Sequence, residues 1–191
     1  MKIREILEES NAPSVGVCYG RWNPPHKGHV AAWETAAKCD HFYVGTNQNT
    51  QGPKDPLPYD VKVMTMETIC PNTKGHIVSE QNLFTLAAEV YKKHGSKATL
   101  KVCTDEGWLA ESLQKYNGVQ AKHGYYNFAS IEQVRTPRLS SATALRSAVA
   151  DGLKEEFSQA AGVPADTLIE VNGKSVKFFE LVSKYLKEHI K

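Results

Sequence analysis

The chain has few cysteines, no long apolar run and no block of like charge, and each absence excludes a class of function. Its four cysteines, Cys18, Cys39, Cys70 and Cys103, form no C-x-x-C pair in 191 residues. Neither a zinc site nor a thioredoxin-type motif is therefore expected. Cys18 and Cys103 fall in apolar, strand-like runs, where reduced thiols act as small hydrophobes, and a reducing compartment is expected. No apolar stretch reaches the roughly 20 residues that span a bilayer. Residues 1–10, MKIREILEES, alternate charge with aliphatics and lack the apolar centre of a signal peptide. These absences predict a cytoplasmic protein without a membrane partner. Lys and Arg total 23 against 21 Asp and Glu, net +2, scattered without a basic tail or arginine-rich block, so no nucleic-acid partner is expected. Small phosphorylated ligands remain, because they need only local positive charge. There is no internal repeat and no low-complexity tract.

What is present is an alternation of strand-like and helix-like segments. Apolar runs at 15–19, 41–45, 75–79 and 98–103 read as strands, and 125–134 reads as extended and aromatic. Between them, 27–38, 59–69, 83–94, 105–116 and 143–150 carry helical spacing, as does a short amphipathic stretch over 1–9. Residues 46–58 contain Pro53, Pro56 and Pro58 and are expected to be irregular. Such an alternation predicts an α/β domain with a parallel sheet and helices on both faces. After Gly152 the pattern turns to helical pieces at 153–161 and 176–190. A single domain over 1–191 is expected, with a core of about 15–152 and a helical C-terminal extension over 153–191. In such sheets ligands bind beyond the carboxyl ends of strands.

Two segments carry chemistry, and both lie just ahead of an expected helix. The first is Gly20-Arg21-Trp22-Asn23-Pro24-Pro25-His26-Lys27-Gly28-His29. Gly20 lets backbone approach a ligand, and the two prolines stiffen the turn. His26 and His29 are three apart, so a helix beginning near Lys27 would send both rings toward one ligand. The N–H groups at that helix end favour anions, and Arg21 and Lys27 add charge. Together these features suit a transferring phosphoryl group. A turn with two surface histidines is the plainer alternative, and His-x-x-His alone supplies only two of the ligands zinc needs. In the second segment, Ser141 suits an N-cap, Thr143 follows in the first turn, and Arg146 lies one turn on. Hydroxyls, free N–H groups and a guanidinium would gather around one anion. An ordinary capped helix is the alternative there.

The first segment resembles the signature of the HxGH nucleotidylyltransferase superfamily. In style it is closest to the G-R-F-x-P-x-H-x-G-H form of archaeal-type nicotinamide-mononucleotide adenylyltransferases and similar phage enzymes. Class I aminoacyl-tRNA synthetases carry a related element, but their Lys-Met-Ser-Lys-Ser loop is absent here. The second segment resembles the superfamily's Ile-Ser-Ser/Gly-Thr-x-x-Arg signature, with Ser140 in place of the usual aliphatic residue or a one-residue slip at Leu139. The resemblance covers most of 15–160 and implies a Rossmann-like, doubly wound sheet. It implies in-line attack by a phosphorylated acceptor on the α-phosphorus of ATP or CTP, with release of pyrophosphate and Mg²⁺ carried on the nucleotide phosphates. His26 and His29 are placed by it at the α- and β-phosphates, and Ser141, Thr143 and Arg146 at the β- and γ-phosphates. ATP with nicotinamide mononucleotide, giving NAD, is the leading pair of substrates. Phosphopantetheine, a flavin nucleotide or a phosphorylated alcohol are alternative acceptors, and a nucleotide-binding sensor without turnover is an alternative function.

Weaker candidates complete the reading. Lys62 sits where relatives carry a basic residue, although a helical lysine is ordinarily a solvated charge. Asp105 matches the acid of the relatives' Gly-Ser-Asp-Arg element, whereas Gly107 displaces its basic residue, and an acid at a helix start needs no ligand to explain it. Trp22 leads Trp108, Tyr125, Tyr126 and Phe128 as a ring that could stack on a base, although aromatics in strand-like runs are commonly core. Asn23 is counted with the nucleotide-binding residues, and Asn47-Gln48-Asn49 could meet the second substrate. Residues 176–190 carry an apolar stripe that suits either the core or a neighbouring subunit, leaving homo-oligomer formation open.

Overall fold

A computed structural model describes residues 12–49 and 52–189; the helix expected over 1–9 lies outside the described residues. Five parallel strands form the sheet: β1 (Ser14–Tyr19), β2 (His41–Thr46), β3 (Ile77–Ser79), β4 (Thr99–Thr104) and β5 (Ser130–Arg135). Their spatial order is β3-β2-β1-β4-β5. The chain therefore starts at the centre, builds outward through β2 and β3, then crosses back to β4 and β5. That reversal leaves a crevice between β1 and β4 at their carboxyl ends, where open α/β sheets bind ligands.

Each crossover is a helix. They are α1 (Lys27–Ala36), α2 (Tyr59–Ile69), α3 (Leu83–His94) and α4 (Gly107–Lys115), with a single 3₁₀ turn at Pro71–Thr73. Period-two alternation on the strands divides them between two faces. Val15, Val17, Leu100 and Val102 point to one side, where Leu86, Ala87 and Val90 of α3 and Ala110 and Leu113 of α4 cover them. Cys18, Val44 and Cys103 point to the other, against Ala32, Trp33 and Ala36 of α1 and Met66 of α2. The doubly wound parallel architecture expected from the sequence is what the chain adopts.

Beyond β5 come α5 (Ala142–Ala150) and α6 (Lys154–Ala161), the strands β6 (Leu168–Val171) and β7 (Lys174–Lys177), and α7 (Phe178–Glu188). The extension is thus not wholly helical. Asn172 and Gly173 both take positive φ, 51° and 75°, which is the two-residue hairpin turn that Asn-Gly favours. Pairing of Leu168–Val171 with Lys174–Lys177 removes the first two residues of the helix expected over 176–190. A third core holds the extension in place. Phe157, Ile169, Phe178 and Val182 bury against Leu145 and Val149 of α5 and against Leu57 and Val61 at the start of α2. α5, which carries Arg146, is therefore packed from behind by the extension.

At one point the first strand and helix meet without room for a side chain. A Cβ on Gly16 would lie 2.5 Å from the Ala36 carbonyl oxygen, a backbone atom that cannot swing away. Gly16→Val is expected to lower Tm by about 2–12 °C, since overpacking costs roughly 1–3 kcal/mol and each kcal/mol shifts Tm by about 2–4 °C in a chain of this size. A thermal melt followed by circular dichroism checks this, and an unchanged Tm would show that α1 can draw back from β1.

Candidate functional site

A cavity of about 490 Å³ opens at the carboxyl end of the sheet, lined by residues after β1, β4 and β5 and by the first turns of α1 and α5. Both sequence segments converge there: the Ser140 amide nitrogen lies 3.5 Å from where a Gly28 Cβ would stand. The N-termini of a ten-residue and a nine-residue helix thus face one space, each favouring negative charge.

The two histidines are fixed by backbone. His26 is the N-cap of α1, and its Nδ1 accepts the Gly28 N–H at 3.1 Å. The His29 Nδ1 accepts the His26 N–H at 3.3 Å. The rings stack with centroids 3.4 Å apart. Behind them the edge of Trp22 meets His29 at 4.7 Å and Trp33 stacks at 6.1 Å. Burial, assisted by Lys27, pushes His26 down to about 4. Burial, then the neighbouring His26, holds His29 well below the usual histidine range. Both imidazoles are neutral at pH 7. With each Nδ1 accepting, the ring proton resides on Nε2, the donor left for a ligand.

The glycines of the segment serve its rings. A Cβ on Gly28 would lie 3.0 Å from the His26 ring. Gly20 lines the cavity, and a Cβ on it would meet the Trp22 ring at 2.9 Å. Trp22 itself takes φ 51°, is 8% exposed and donates its indole N–H to the Gly45 carbonyl at 2.8 Å. It lines the cavity and is built into the core. Tyr126 and Phe128 are likewise core; Trp108, 59% exposed, stands at the start of α4 outside the cavity lining.

On the α5 side, the Ser141 Oγ accepts the Ala144 N–H at 3.1 Å. Arg146 Nη2 donates to Thr143 Oγ1 at 3.2 Å, and Nη1 donates to the carbonyls of Asn23 and Lys54, both at 3.3 Å. Burial and nearby Arg21 lower the Arg146 pKa, and Asp55 opposes them. Arg146 is held by these bonds over the cavity it lines, with Nε–H and one Nη2–H uncommitted.

The other expected site residues divide between the lining and the surrounding structure. Asn23 lines the cavity, and its side chain, 3% exposed, is committed at both ends to Leu57, donating to its carbonyl at 2.9 Å and accepting its N–H at 3.0 Å. Lys62 is fully buried rather than a solvated surface charge. Its Nζ donates to Thr46 Oγ1 and the Asn47 carbonyl, each at 2.8 Å, outside the cavity lining. Burial pushes its pKa down to about 8, with Asp55 opposing. Lys27 is also outside the lining, with Gly162 packed against its Cβ. Arg21 lines the cavity and pairs with Asp55 at 3.6 Å. Asp105 stands exposed at its edge, beside Glu106, whose N–H is taken by Thr104 Oγ1.

Sequence reasoning missed Lys54 and Asp55. Their signal was faint: two charged residues in a proline-rich loop, where functional groups on loops are common. Among the described residues no group of three or more His, Cys, Asp or Glu is arranged to hold a metal, and no helix is long and apolar enough to cross a membrane.

No protein-family model matches the chain, and no curated protein matches it. Among solved structures it is similar to Thermotoga maritima TmcAL bound with alpha-thio ATP, with 12% identity and a TM-score of 0.47 over 92% of this chain and 56% of that one. The chain spans little more than half the length of that protein.

The histidine geometry has a thermodynamic consequence. Unfolded histidine protonates near pH 6.5, whereas folded His26 stays neutral to about 4, so between these values the unfolded chain binds more protons. Stability from this site is full above about pH 6.5 and falls by up to about 3 kcal/mol as pH drops toward 4. Urea unfolding at pH 7 and 4.5 measures it. His26→Asn, which keeps an N-cap acceptor, is expected to flatten the dependence. An imidazole signal for His26 titrating near 6.5 by NMR would contradict the buried, neutral state.

Proposed function

We propose that the chain is a nucleotidylyltransferase that moves a nucleotidyl group from a nucleoside triphosphate to a phosphorylated acceptor and releases pyrophosphate. One observation carries the reading. Two neutral, backbone-anchored histidines face the same cavity as the N-terminus of α5 and Arg146. Fixed donors aimed at one space, with their reorganisation completed on folding, are what stabilises charge developing on transferring phosphoryl oxygens.

In this reading an acceptor phosphate oxygen attacks the α-phosphorus in line, and the bond from that phosphorus to the bridging oxygen of the β-phosphate breaks. Pyrophosphate leaves with the bonding pair. Nε2–H of His26 and His29 donate to oxygens of the α- and β-phosphates. Ser141, Thr143, Arg146 and the free N–H groups of α5 receive the leaving pyrophosphate. The histidines act as donors and not as acid or base, because each Nδ1 is occupied by backbone. The cavity volume falls within the range of small-molecule sites. Asp105 is positioned to accept a hydroxyl from one substrate. Magnesium fits as an ion brought by the nucleotide, since the lining offers only Asp105 and Glu106 as carboxylates; when bound it would neutralise phosphate charge. ATP with nicotinamide mononucleotide is the leading pair, resting on the style of the first segment.

Pyrophosphate release from ATP or CTP, assayed across nicotinamide mononucleotide, phosphopantetheine, flavin mononucleotide and phosphorylated alcohols, tests the class and names the acceptor. His29→Ala is expected to lower kcat by about two to three powers of ten, the usual loss for one preorganised donor. Unchanged turnover in that variant would overturn the assignment. Tight nucleotide binding without pyrophosphate from any acceptor would favour a nucleotide sensor instead.

A further inference from the structure

The loop over 52–58, between β2 and α2, is tied to the first segment and to Arg146 at three separate points. First, Leu57 exchanges two hydrogen bonds with the Asn23 side chain, imitating a rung of sheet between two loops. Both residues are buried, Leu57 completely, so neither bond can be replaced by water without cost. Second, the Lys54 carbonyl accepts from Arg146 Nη1, the same nitrogen that donates to the Asn23 carbonyl. The guanidinium therefore bridges the loop and the first segment across 123 and 92 residues of sequence. Third, Asp55 pairs with Arg21, the residue before Trp22.

The ties share a foundation. Leu57 belongs to the core formed by α5, α6, β6 and α7. Pulling on Leu57 disturbs both the packing behind Arg146 and the loop in front of it. Asp55 reinforces the arrangement electrostatically: its carboxylate pairs with Arg21 and also acts on Arg146 and Lys62.

We infer that residues 52–58 form a strap that presents Arg146 to the cavity, and that Asn23 is a positioning residue whose paired bonds to Leu57 hold the strap closed. Asn23 lines the cavity, but in this scheme its side chain, committed to Leu57, acts through the strap and the Lys54 carbonyl on the guanidinium that meets the nucleotide. The inference rests on the reading of the cavity as a triphosphate site.

Two measurements test it. Amide hydrogen exchange of the whole protein reads the Leu57 N–H directly, and equilibrium binding of ATP and CTP reads the consequence. Asn23→Leu preserves bulk and removes both bonds; Leu57 exchange is expected to rise at least about a hundredfold and nucleotide Kd by about ten- to a hundredfold, consistent with the cost of unpaired buried groups. Asn23→Asp keeps the acceptor for the Leu57 N–H, loses the donor to the Leu57 carbonyl and serves if the first variant does not fold; its Leu57 exchange and its Kd are both expected to rise, each by less than in Asn23→Leu. Leu113→Ala, a core change under α4 far from the strap, controls for lost stability, and its Kd is expected to stay within about twofold once folded. A double-mutant cycle with Arg146→Lys is expected to be non-additive, the second change costing little once Asn23 is gone. Additive losses, or weakened nucleotide binding with unchanged Leu57 exchange in Asn23→Leu, would overturn the strap and leave the proposed function standing. Lost Leu57 protection in a protein that binds neither nucleotide would support the strap and overturn the function.

Discussion

The histidine pair at the centre of the site depends on the two bonds by which backbone N–H groups at the start of α1 occupy the Nδ1 atoms of His26 and His29. These bonds satisfy helix-end donors that would otherwise be orphaned. They also set the tautomer of each ring and aim the remaining donor outward. The rings lie 3.4 Å apart, a separation that two imidazolium ions would oppose strongly. Neutrality is therefore a condition of the geometry as well as a result of burial. The small residue between them is equally constrained, since the Gly28 Cα must pass under the His26 ring.

Around this pair the fold supplies two supports of different origin. The sheet order brings the ends of β1 and β4 side by side with a crevice between them, and the Trp22 indole anchored on Gly45 backs His29 from within it. The other support comes from the far end of the chain. α6, β6 and α7 bury against α5 and the start of α2, so α5 is held by residues after 153. The extension contributes nothing to the cavity lining, yet the placement of Arg146 depends on it.

The fold was largely legible because its signal is local and repeated: α2 and α3 occupy the segments their periodicity marks, and buried strands alternate with them. The His26–His29 segment was legible because its residues are neighbours in sequence and meet in one helical turn. Three features were not. The hairpin turn at Asn172-Gly173 had a clear chemical signal, but its strands are only four residues each and Val176 and Lys177 fit the periodicity of the following helix. Lys62 reads as a surface charge because nothing nearby in sequence reveals that Thr46 and Asn47 stand ready to accept its ammonium. The commitment of the Asn23 side chain is hidden because its partner, Leu57, is 34 residues away. The last two are long-range pairings of a polar group, which composition and period cannot encode.

The charges around the cavity follow the same division of labour. Arg21, Lys54, Arg138 and Arg146 line it against Asp105 and Glu106, an excess of positive charge within a chain whose net charge is small. That excess has the sign needed to balance a triphosphate already carrying one divalent cation. With the histidines neutral, it resides in arginine and lysine groups. Two of those groups, Arg21 and Lys54, lie on the segments that Asn23 and Arg146 tie together. Charge complementarity and loop position are thus one property: a shift of the 52–58 segment would move cations as well as backbone. Fixed donors in a partly enclosed space act more strongly on an anion than the same charges spread over a surface, so placement matters more here than total charge.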